Sequence, residues 1–487
     1  MIKATTFKGR RVAVFGLGRT GVSAALSLQA GGAEVWAWDD RDAARDAAQS
    51  EGVDIQDLSA ADWSGFDELV LSPGVPHDLP APHWTAVAAT AADVPIICDI
   101  EILAREINAR PAGDRPKVIA ITGTNGKSTT TALIGHILKT IGRDAQIGGN
   151  IGRGVLDLDR MHAGTHYVIE LSSYQLERTI SLRADAAIFL NLSPDHLDRH
   201  GSMEAYGVAK ERIFANQTKD DAIIVGVDDD YGRALTTRLK AANNRRIIPV
   251  SSRRALGHGV CSLGGPLMDR TGRSGRVVCD LTDAKALDGI HNAQNAAAAY
   301  AAVASLGVEP RPIGQAILSF PGLAHRMERV GQDGRIRYVN DSKATNAEAA
   351  RQAIASYQDI FWIAGGVPKE GGITSLLDLK DHIRKAYLIG DAAADFATTL
   401  KDAGVDHKVS GTLKMAVLCA THDALESGVE HPVVMLSPAC ASFDQYANFE
   451  VRGDAFRREV QSLMELFANH RAAKEQAQAN KAKGSAA

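Results

Sequence analysis

The chain has 487 residues, which is too long for one hydrophobic core and predicts about two to four domains. Its 45% hydrophobic and 23% charged content is typical of a folded protein, and a formal net charge of −4 gives no reason to expect nucleic acid as a partner. The five cysteines form no CxxC pair, and no apolar stretch reaches the ~20 residues that cross a bilayer. We therefore expect a cytoplasmic protein with reduced thiols and no membrane partner.

The first predicted strand, RVAVF, runs into Gly16-Leu17-Gly18-Arg19-Thr20-Gly21 and then into a helix. This GxGxxG spacing predicts a tight strand–helix turn whose helix N-terminus faces a pyrophosphate. Asp39 closes the next apolar run, where a dinucleotide-binding fold holds a ribose. The motif alone therefore leaves a nicotinamide enzyme open, because it indicates the charge of the ligand and not its identity.

Short β-rich runs alternate with helical patterns along the whole chain, which predicts an α/β protein with parallel sheets and crossover helices. One group runs from Arg11 to about Ile97, a second begins at KVIAITG, and a third begins at RIRYVND. Residues from about Tyr231 to Asp288 are interpreted as loops and short strands, and HNAQNAAAAYAAVASLG as a helix. In parallel sheets, ligands bind at the carboxyl ends of the strands.

The segment AITGTNGKSTTTALIGHIL (120–138) carries the strongest local signal. Its glycines let backbone N–H groups surround phosphate oxygens, Lys127 would reach the β- and γ-phosphates, and the Ser128 hydroxyl would bind Mg²⁺. Ile121 stands where the strict pattern has glycine, so a plain strand–helix turn with a solvated lysine is the alternative. The flanking strand and helix favour nucleotide binding.

Two further strand ends supply candidate metal ligands. Glu170 ends the strand HYVIE, where it is either a ligand of Mg²⁺ or a cap of the next helix. Asp195, His196 and Asp198 follow the strand AAIFL and favour a metal or phosphate site over a structural histidine. A histidine is nonetheless an unusual neighbour for Mg²⁺, which prefers oxygen ligands.

Polar runs also follow two strands of the third group, at Asn340–Asn346 and at Ser437–Asp444. They indicate either a site for a small polar ligand or a set of helix caps. Cys440 is interpreted as a packed small residue and not as a nucleophile, since no histidine motif accompanies it.

The blocks GTNGKST, ELSSYQLE, NLSPDHLDRH, HNAQN, AHRMERV, NDSKATN and SPACASFDQYANFEVRG occur in the order found in the Mur ligases, and the chain resembles that family over about residues 7–465. The last block, with GLGRTG and LSPG near the N-terminus, is most similar to the D-glutamate-adding members. The resemblance implies four segments: a UDP-binding Rossmann-like domain (1–98), a central P-loop ATP-binding domain (99–322), a Rossmann-like domain for the amino acid (323–469) and a flexible tail (470–487).

The resemblance implies a monomeric ligase that uses ATP and two Mg²⁺ ions to add D-glutamate to UDP-N-acetylmuramoyl-L-alanine, through an acyl phosphate and a tetrahedral intermediate. Another amino-acid-adding Mur ligase or a folylpolyglutamate synthase is the alternative, and SPACASFDQ argues against both. A nicotinamide-dependent oxidoreductase rests on the glycine motif alone.

Matching positions imply the site residues. Those implied for ATP are Gly123, Thr124, Asn125, Gly126, Lys127, Ser128, Thr129, Asn292, Asn295, Arg326 and Asp341. Those implied for the UDP-sugar are Gly18, Arg19, Thr20, Arg41, Ser72, Gly74, Asn150 and His196. Lys343, Thr345, Lys369, Ser442 and Phe449 correspond to D-glutamate contacts, and Ser128, Glu170, His196 and Lys210 to metal ligands. Catalysis would depend on Lys127, His196 and Lys210, the last of which is a carbamylated lysine in the family.

Overall fold

A computed structural model describes residues 1–242, 245–287, 289–369 and 371–484, with side chains up to position 473. Strands of three sheets alternate with helices, so the predicted α/β class is confirmed. The described chain divides into two compact units, Met1–Phe320 and Pro321–Ala487. Asp288 and residues 485–487, which end two of the predicted segments, lie outside the described residues.

The first unit begins with a four-stranded parallel sheet in the order β2-β1-β3-β4. Its strands are mostly apolar because helices cover both faces of the sheet. The strands are β1 (Arg11–Phe15), β2 (Glu34–Trp38), β3 (Glu68–Leu71) and β4 (Ile96–Ile97). The helices of this part are α1 (Arg19–Gly31), α2 (Asp42–Ser50), α3 (Trp84–Ala91) and α4 (Asp99–Asn108).

A nine-stranded sheet follows in the same unit, in the order β13-β12-β11-β10-β9-β8-β5-β7-β6. Its strands are β5 (Lys117–Thr122), β6 (Asp144–Gly149), β7 (Thr165–Glu170), β8 (Ala186–Phe189), β9 (Ala222–Gly226), β10 (Arg246–Ser251), β11 (Val260–Ser262), β12 (Pro266–Asp269) and β13 (Arg276–Asp280). Strands β5 to β11 pair in parallel, whereas β12 and β13 form antiparallel pairs at one edge.

The helices that accompany this sheet are α5 (Lys127–Thr140), α6 (Ser173–Glu177), α7 (Leu197–His200), α8 (Met203–Glu211), α9 (Asp230–Ala241), α10 (Ile290–Ser305) and α11 (Pro310–Leu318). The predicted Ala-rich helix is confirmed as α10. The interpretation of 231–288 as loops and short strands is wrong at α9, a helix capped by the Asp229 carboxylate. Only Gly232, Leu235 and Thr236 are buried in α9, and just one of them is a large apolar residue, so few apolar positions mark this helix in the sequence.

The second unit contains a six-stranded sheet in the order β14-β15-β19-β16-β17-β18, in which only the β14–β15 pair is antiparallel. Its strands are β14 (Glu328–Asp333), β15 (Ile336–Asn340), β16 (Ile360–Gly365), β17 (Ile383–Ile389), β18 (His407–Gly411) and β19 (Val433–Leu436). Its helices are α12 (Ala347–Ala355), α13 (Ala393–Asp402), α14 (Leu413–Glu426) and α15 (Phe449–Gly484). Helix α15 includes most of the predicted tail.

Among the described residues, no helix combines the length and the apolar content that a membrane crossing requires.

Candidate functional site

The phosphate-binding motif forms a short loop between β5 and the N-terminus of α5. Gly126 caps the helix with a φ of +82°, in the left-handed region that favours glycine. A Cβ placed on Gly126 would also overlap the side-chain amide of Asn295. The side-chain amide of Asn295 in turn donates to Asn292 Oδ1 at 3.1 Å. The structure therefore brings the two predicted asparagines of α10 to the phosphate loop.

The end of the neighbouring strand β8 holds this loop in shape. The backbone N–H of Asn125 donates to Asn191 Oδ1 at 2.9 Å, and the Asn191 amide donates back to the Asn125 carbonyl at 3.1 Å. Thr124 is bonded in the same way, through its N–H to the Asn191 carbonyl and through its hydroxyl oxygen to the N–H of Ser193. The sequence predicted no role for Asn191, although it is the first residue of the NLSPDHLDRH block.

Lys127 begins α5 and folds back over the loop. Its Nζ donates to the carbonyls of Gly123 and Thr124, at 2.8 and 2.7 Å. Ser128 is buried one residue further on, and Thr129 is half-buried. A fixed ammonium and the free N–H groups of a 14-residue helix both favour an anion at this end.

Glu170 ends β7, the strand next to β5, with its Cα opposite that of Ile121. The carboxylate is 2% exposed, and its Oε1 accepts from the Asn150 amide at 3.0 Å. Its Oε2 is buried without a hydrogen-bond partner. A buried carboxylate oxygen that lacks a donor is costly unless a cation satisfies it, so Glu170 suits the predicted Mg²⁺.

Among the described residues, no three His, Cys, Asp or Glu side chains converge as a complete metal site. Phosphate-bound Mg²⁺ takes one or two protein oxygens and completes its shell with phosphate and water, and Ser128 and Glu170 are the oxygen ligands that the resemblance predicts.

His196 lies beyond β8 in a left-handed conformation, with its Nε2 3.4 Å from Asp195 Oδ2. Asp198, the other predicted neighbour, is exposed in the first turn of α7. Burial lowers the pKa of His196, although the neighbouring Asp195 carboxylate opposes the shift. A neutral imidazole is the form that binds metals.

Lys210 lies on α8 with 1% of its surface exposed, and its Nζ donates to the Gly123 carbonyl at 3.0 Å. Burial and, next, the positive charge of Lys127 lower the pKa of Lys210 to about 6, against the effects of Asp195 and Glu170. The amine is thus held in its neutral, nucleophilic form at the phosphate loop.

A cavity of about 370 Å³ lies at the carboxyl ends of the first sheet. Seven of its lining residues are those that the resemblance implies for the UDP-sugar: Gly18, Arg19, Thr20, Arg41, Ser72, Gly74 and Asn150. The turn before it is tight, because a Cβ on Gly21 would overlap the carbonyl of Gly16. Asn150 reaches this cavity and also donates to Glu170, so it links the cavity to the candidate cation ligand.

Asp39 lines the same cavity and hydrogen-bonds to the glycine-rich turn. Its Oδ2 accepts from the N–H of Leu17 at 2.8 Å, and its Oδ1 accepts from the backbone and side chain of Arg41. The hydrogen bonds from Arg41 and Leu17 lower the pKa of the carboxyl below its usual value, although burial opposes them. Asp39 therefore fixes the glycine-rich turn, and the one acidic residue that suggested a dinucleotide is already engaged.

In the second unit, Asp341 follows β15 and is buried. Its carboxylate accepts from the N–H of Met327 at 3.1 Å and from the Ser437 hydroxyl at 2.9 Å. Burial raises the pKa of Asp341 to about 7, although the Ser437 bond and the nearby charge of Arg326 oppose the rise. Arg326 and Asp341, both predicted nucleotide contacts, are thus neighbours.

The residues predicted for D-glutamate follow strands β15, β16 and β19, which are adjacent in the sheet. The Lys343 Nζ lies 3.9 Å from the centre of the Phe449 ring, and the Thr345 N–H donates to the Lys343 carbonyl at 2.8 Å. Ser442 is buried, beside a two-way backbone pairing of Val367 and Ala441. Lys369 lies on the exposed loop after β16.

Arg452 joins the loops after β15 and β19, a role that the sequence did not predict. This arginine is 1% exposed, and its guanidinium donates to the hydroxyl and carbonyl of Ser342 and to the carbonyls of Cys440 and Ala441. Cys440 is buried, as expected for a packed residue, and burial raises the pKa of its thiol to about 12.

The Mur ligase middle domain matches residues 121–303 of this chain. The chain is 56% identical over 463 residues to a UDP-N-acetylmuramoylalanine--D-glutamate ligase of Phenylobacterium zucineum, covering 95% of this chain and 98% of that protein. The chain belongs to the Mur ligase family. Proteins of the same name from Caulobacter vibrioides and Rhizobium etli are 56% and 52% identical to this Mur ligase, over 95% of its length and 98% and 97% of theirs.

Solved structures agree with the fold. UDP-N-acetylmuramate-alanine ligase from Thermotoga maritima covers 93% of this Mur ligase and 99% of its own chain, at 20% identity and a TM-score of 0.56. A UDP-N-acetylmuramoyl-L-alanyl-D-glutamate--2,6-diaminopimelate ligase covers 96% of this chain and 94% of its own, at 17% identity and a TM-score of 0.55. The alternative of a nicotinamide-dependent oxidoreductase is wrong.

We predict that Gly126→Ala lowers the affinity for ATP about tenfold or more, because a left-handed alanine costs about 1–2 kcal/mol and its Cβ displaces Asn295. Equilibrium titration with a fluorescent ATP analogue and Mg²⁺ measures this affinity. Gly113→Ala is the matched control, since a Cβ on Gly113 meets no heavy atom within 4 Å. Unchanged affinity in Gly126→Ala would contradict the role of the loop.

We predict that Asp341→Asn alters the pH dependence of stability. The pKa of Asp341 is about 7 in the folded protein and about 4 in the unfolded chain, so its favourable contribution is complete below pH 4 and is lost as pH rises to 7. The variant should therefore gain stability relative to the parent protein over that range, by about 1.4 kcal/mol per unit of pKa difference at most. Urea denaturation at several pH values measures it. Parallel curves, as expected for the exposed control Asp402→Asn, would contradict the prediction.

Proposed function

We propose that this Mur ligase joins D-glutamate to UDP-N-acetylmuramoyl-L-alanine by an amide bond at the expense of ATP. The observation that carries the proposal is 56% identity, over 95% of the chain, to proteins named for that reaction. The arrangement of the first unit supports it, because a phosphate loop and a separate polar cavity are joined there through Glu170 and Asn150.

The chemistry requires two displacements. A carboxylate does not condense with an amine in water, so the carboxylate oxygen of the L-alanine residue first attacks the γ-phosphorus of ATP and releases ADP. The amine of D-glutamate then attacks the acyl carbon, loses a proton and expels phosphate from the tetrahedral intermediate. The main task of the protein is to position the reactants and to neutralise charge.

For ATP, we propose contacts with the loop residues Gly123, Thr124, Asn125 and Gly126 and with Lys127, Ser128 and Thr129 of α5. Supporting this, the loop is held open by Asn191, and the Lys127 ammonium already lies over its carbonyls. Asn292, Asn295, Arg326 and Asp341 complete the proposed nucleotide set. Lys127 would neutralise the phosphate charge that develops during transfer.

We propose that Ser128 and Glu170 hold one Mg²⁺ and that His196 and Lys210 form a second cation site. Mg²⁺ supplies a positive charge that polarises the phosphate oxygens. The orphaned Oε2 of Glu170 supports the first assignment. An ammonium at Lys210 would repel a cation, whereas a carbamate made from its neutral amine and CO₂ would offer oxygen ligands, and the burial of that amine supports this modification.

The cavity of the first unit is proposed to hold the UDP-sugar, with Gly18, Arg19 and Thr20 at the N-terminus of α1 facing the pyrophosphate and with Arg41, Ser72, Gly74 and Asn150 beside it. His196, which is not among the lining residues of this cavity, is proposed as a further contact of the same substrate. Lys343, Thr345, Lys369, Ser442 and Phe449 are proposed to bind D-glutamate. The Lys343 ammonium, 3.9 Å from the centre of the Phe449 ring, places a positive charge there, and a positive charge suits a carboxylate ligand.

Domain boundaries at 98/99, 322/323 and 469/470, a monomeric state and a cytoplasmic location are part of the same proposal. The assignment of the partners is likewise limited to three small molecules: ATP, D-glutamate and UDP-N-acetylmuramoyl-L-alanine.

The experiment that tests the function measures phosphate release from ATP in the presence of UDP-N-acetylmuramoyl-L-alanine and one amino acid at a time. We expect release with D-glutamate and at least about a hundredfold less with L-glutamate or L-lysine, because one mismatched polar group in a buried site costs several kcal/mol. Release that ignores D-glutamate would overturn the proposal. Release that prefers L-lysine would instead indicate another amino-acid-adding member of the family.

We predict that Lys210→Ala reduces the rate of phosphate release about a hundredfold or more, since a charged ligand is lost next to the transferred phosphate. Short carboxylic acids such as acetate should restore part of the rate by filling the vacated space with oxygen ligands. Lys139→Ala, an exposed position of α5, is the control and should keep full activity. An active Lys210→Ala enzyme would exclude a metal role for this side chain.

A further inference from the structure

The segment Leu71–Leu79, here named the substrate loop, leaves β3 and carries Ser72 and Gly74 into the proposed UDP-sugar cavity. It is held by two arginines from the helical segments that accompany the second sheet of the same unit. Arg178, the residue after α6, donates from Nη1 to the carbonyls of Leu71 and Ser72, at 2.9 and 3.0 Å. Its Nη2 donates to the Val75 carbonyl at 2.6 Å, and its Nε donates to His77 Nδ1 at 3.3 Å.

A second arginine donates hydrogen bonds to the far end of the substrate loop. Arg199 on α7 donates from Nη1 to the Leu79 carbonyl at 3.2 Å, and its Nη2 lies 3.0 Å from His77 Nδ1. His77 is therefore shared by both guanidinium groups. Both arginines are buried, with 2% of Arg178 and 7% of Arg199 exposed.

Because Arg178 is buried, its guanidinium depends on the substrate loop for hydrogen-bond acceptors. Burial lowers the pKa of Arg178 to about 10, so the group is still a cation at neutral pH. A buried guanidinium is tolerated only when its N–H groups are bonded, and four of these bonds go to the substrate loop. If the loop moved, that charge would lose its acceptors, so the loop and the arginine hold each other in place.

Both arginines follow a proposed cation ligand in the sequence. Arg178 comes directly after α6, the short helix that follows Glu170, and Arg199 lies three residues after His196. Each therefore connects a proposed cation ligand to the loop that lines the UDP-sugar cavity. A backbone anchored at both ends has little freedom to shift relative to the phosphate loop.

We propose that Arg178, assisted by Arg199, is a positioning residue that fixes the substrate loop and so places the nucleotide-sugar against the phosphate loop. The proposal rests on the proposed function, because it assigns the loop to that substrate. Neither arginine needs to touch a reactant. Their contribution is the preorganisation of Ser72 and Gly74 before the substrate arrives.

The test compares Arg178→Lys and His77→Ala with the matched control Arg183→Lys. A lysine cannot reproduce the planar fork that spans several carbonyls, and alanine at position 77 removes the shared acceptor without leaving a new charge. Arg183 lies in the same part of the chain, but it is exposed and its guanidinium donates to Asp221 at 2.8 Å and to Thr218, away from the substrate loop. Steady-state phosphate release yields KM for each substrate, and hydrogen exchange reports on the amides of the substrate loop.

In Arg178→Lys we expect KM for UDP-N-acetylmuramoyl-L-alanine to rise about tenfold, KM for ATP to stay within about twofold, and exchange in the substrate loop to accelerate. In His77→Ala the same pattern should appear at about threefold, which keeps the proposal testable if Arg178→Lys fails to fold. Arg183→Lys should resemble the parent protein in both KM values.

An unchanged KM for the nucleotide-sugar, or an equal rise for both substrates, would overturn the positioning role. Failure of the proposed function is distinguishable, because it would be seen in the parent protein as phosphate release that ignores D-glutamate. In that case, titration calorimetry with UDP-N-acetylmuramoyl-L-alanine, together with the exchange rates of the variants, still decides whether the arginines position the substrate loop.

Discussion

The conformation of the phosphate loop depends on a neighbouring strand end, because the backbone N–H groups of Thr124 and Asn125 both donate to Asn191. Asn191 closes a pair of hydrogen bonds with Asn125, and Ser193 bonds to Thr124, so the loop cannot relax independently of β8. The neutral amine of Lys210 reaches the loop from α8, and Asn295 limits it from α10. Four separate segments thus depend on the conformation of a few residues.

Buried arginines fix the conformation of other strand-end loops. Arg178 and Arg452 each come from outside the loops they hold, and each donates mainly to backbone carbonyls. Burial lowers the pKa of both to about 10. Because a carbonyl carries no net charge, such an arginine can bond to several loops at once and needs no carboxylate partner, which would repel anionic substrates. The two units therefore organise their strand-end loops by one common device.

The sequence reveals those features that depend on local pattern. Apolar runs identify most parallel strands, glycine spacing identifies the phosphate loop, and the Ala-rich run identifies α10. Elements with weak burial were missed, such as the polar helix α9 and the exposed edge strand β18. The roles of Asn191, Arg178 and Arg452 were also missed. Their main partners are backbone groups, which every residue carries, so no sequence pattern marks these contacts. The contact of Asp39 with Leu17 was missed for the same reason, since its partner is a backbone N–H.

The amide of Asn150 has a consequence for inhibition. It lines the cavity of the first sheet and simultaneously donates to the carboxylate of Glu170, so a cavity ligand that draws the amide away changes how strongly that carboxylate attracts a cation. Linkage is reciprocal, and the cation must alter the affinity of that ligand by the same factor. An inhibitor built for the cavity would accordingly be antagonised or assisted by divalent-ion concentration, depending on whether it competes for this one amide or leaves it in place.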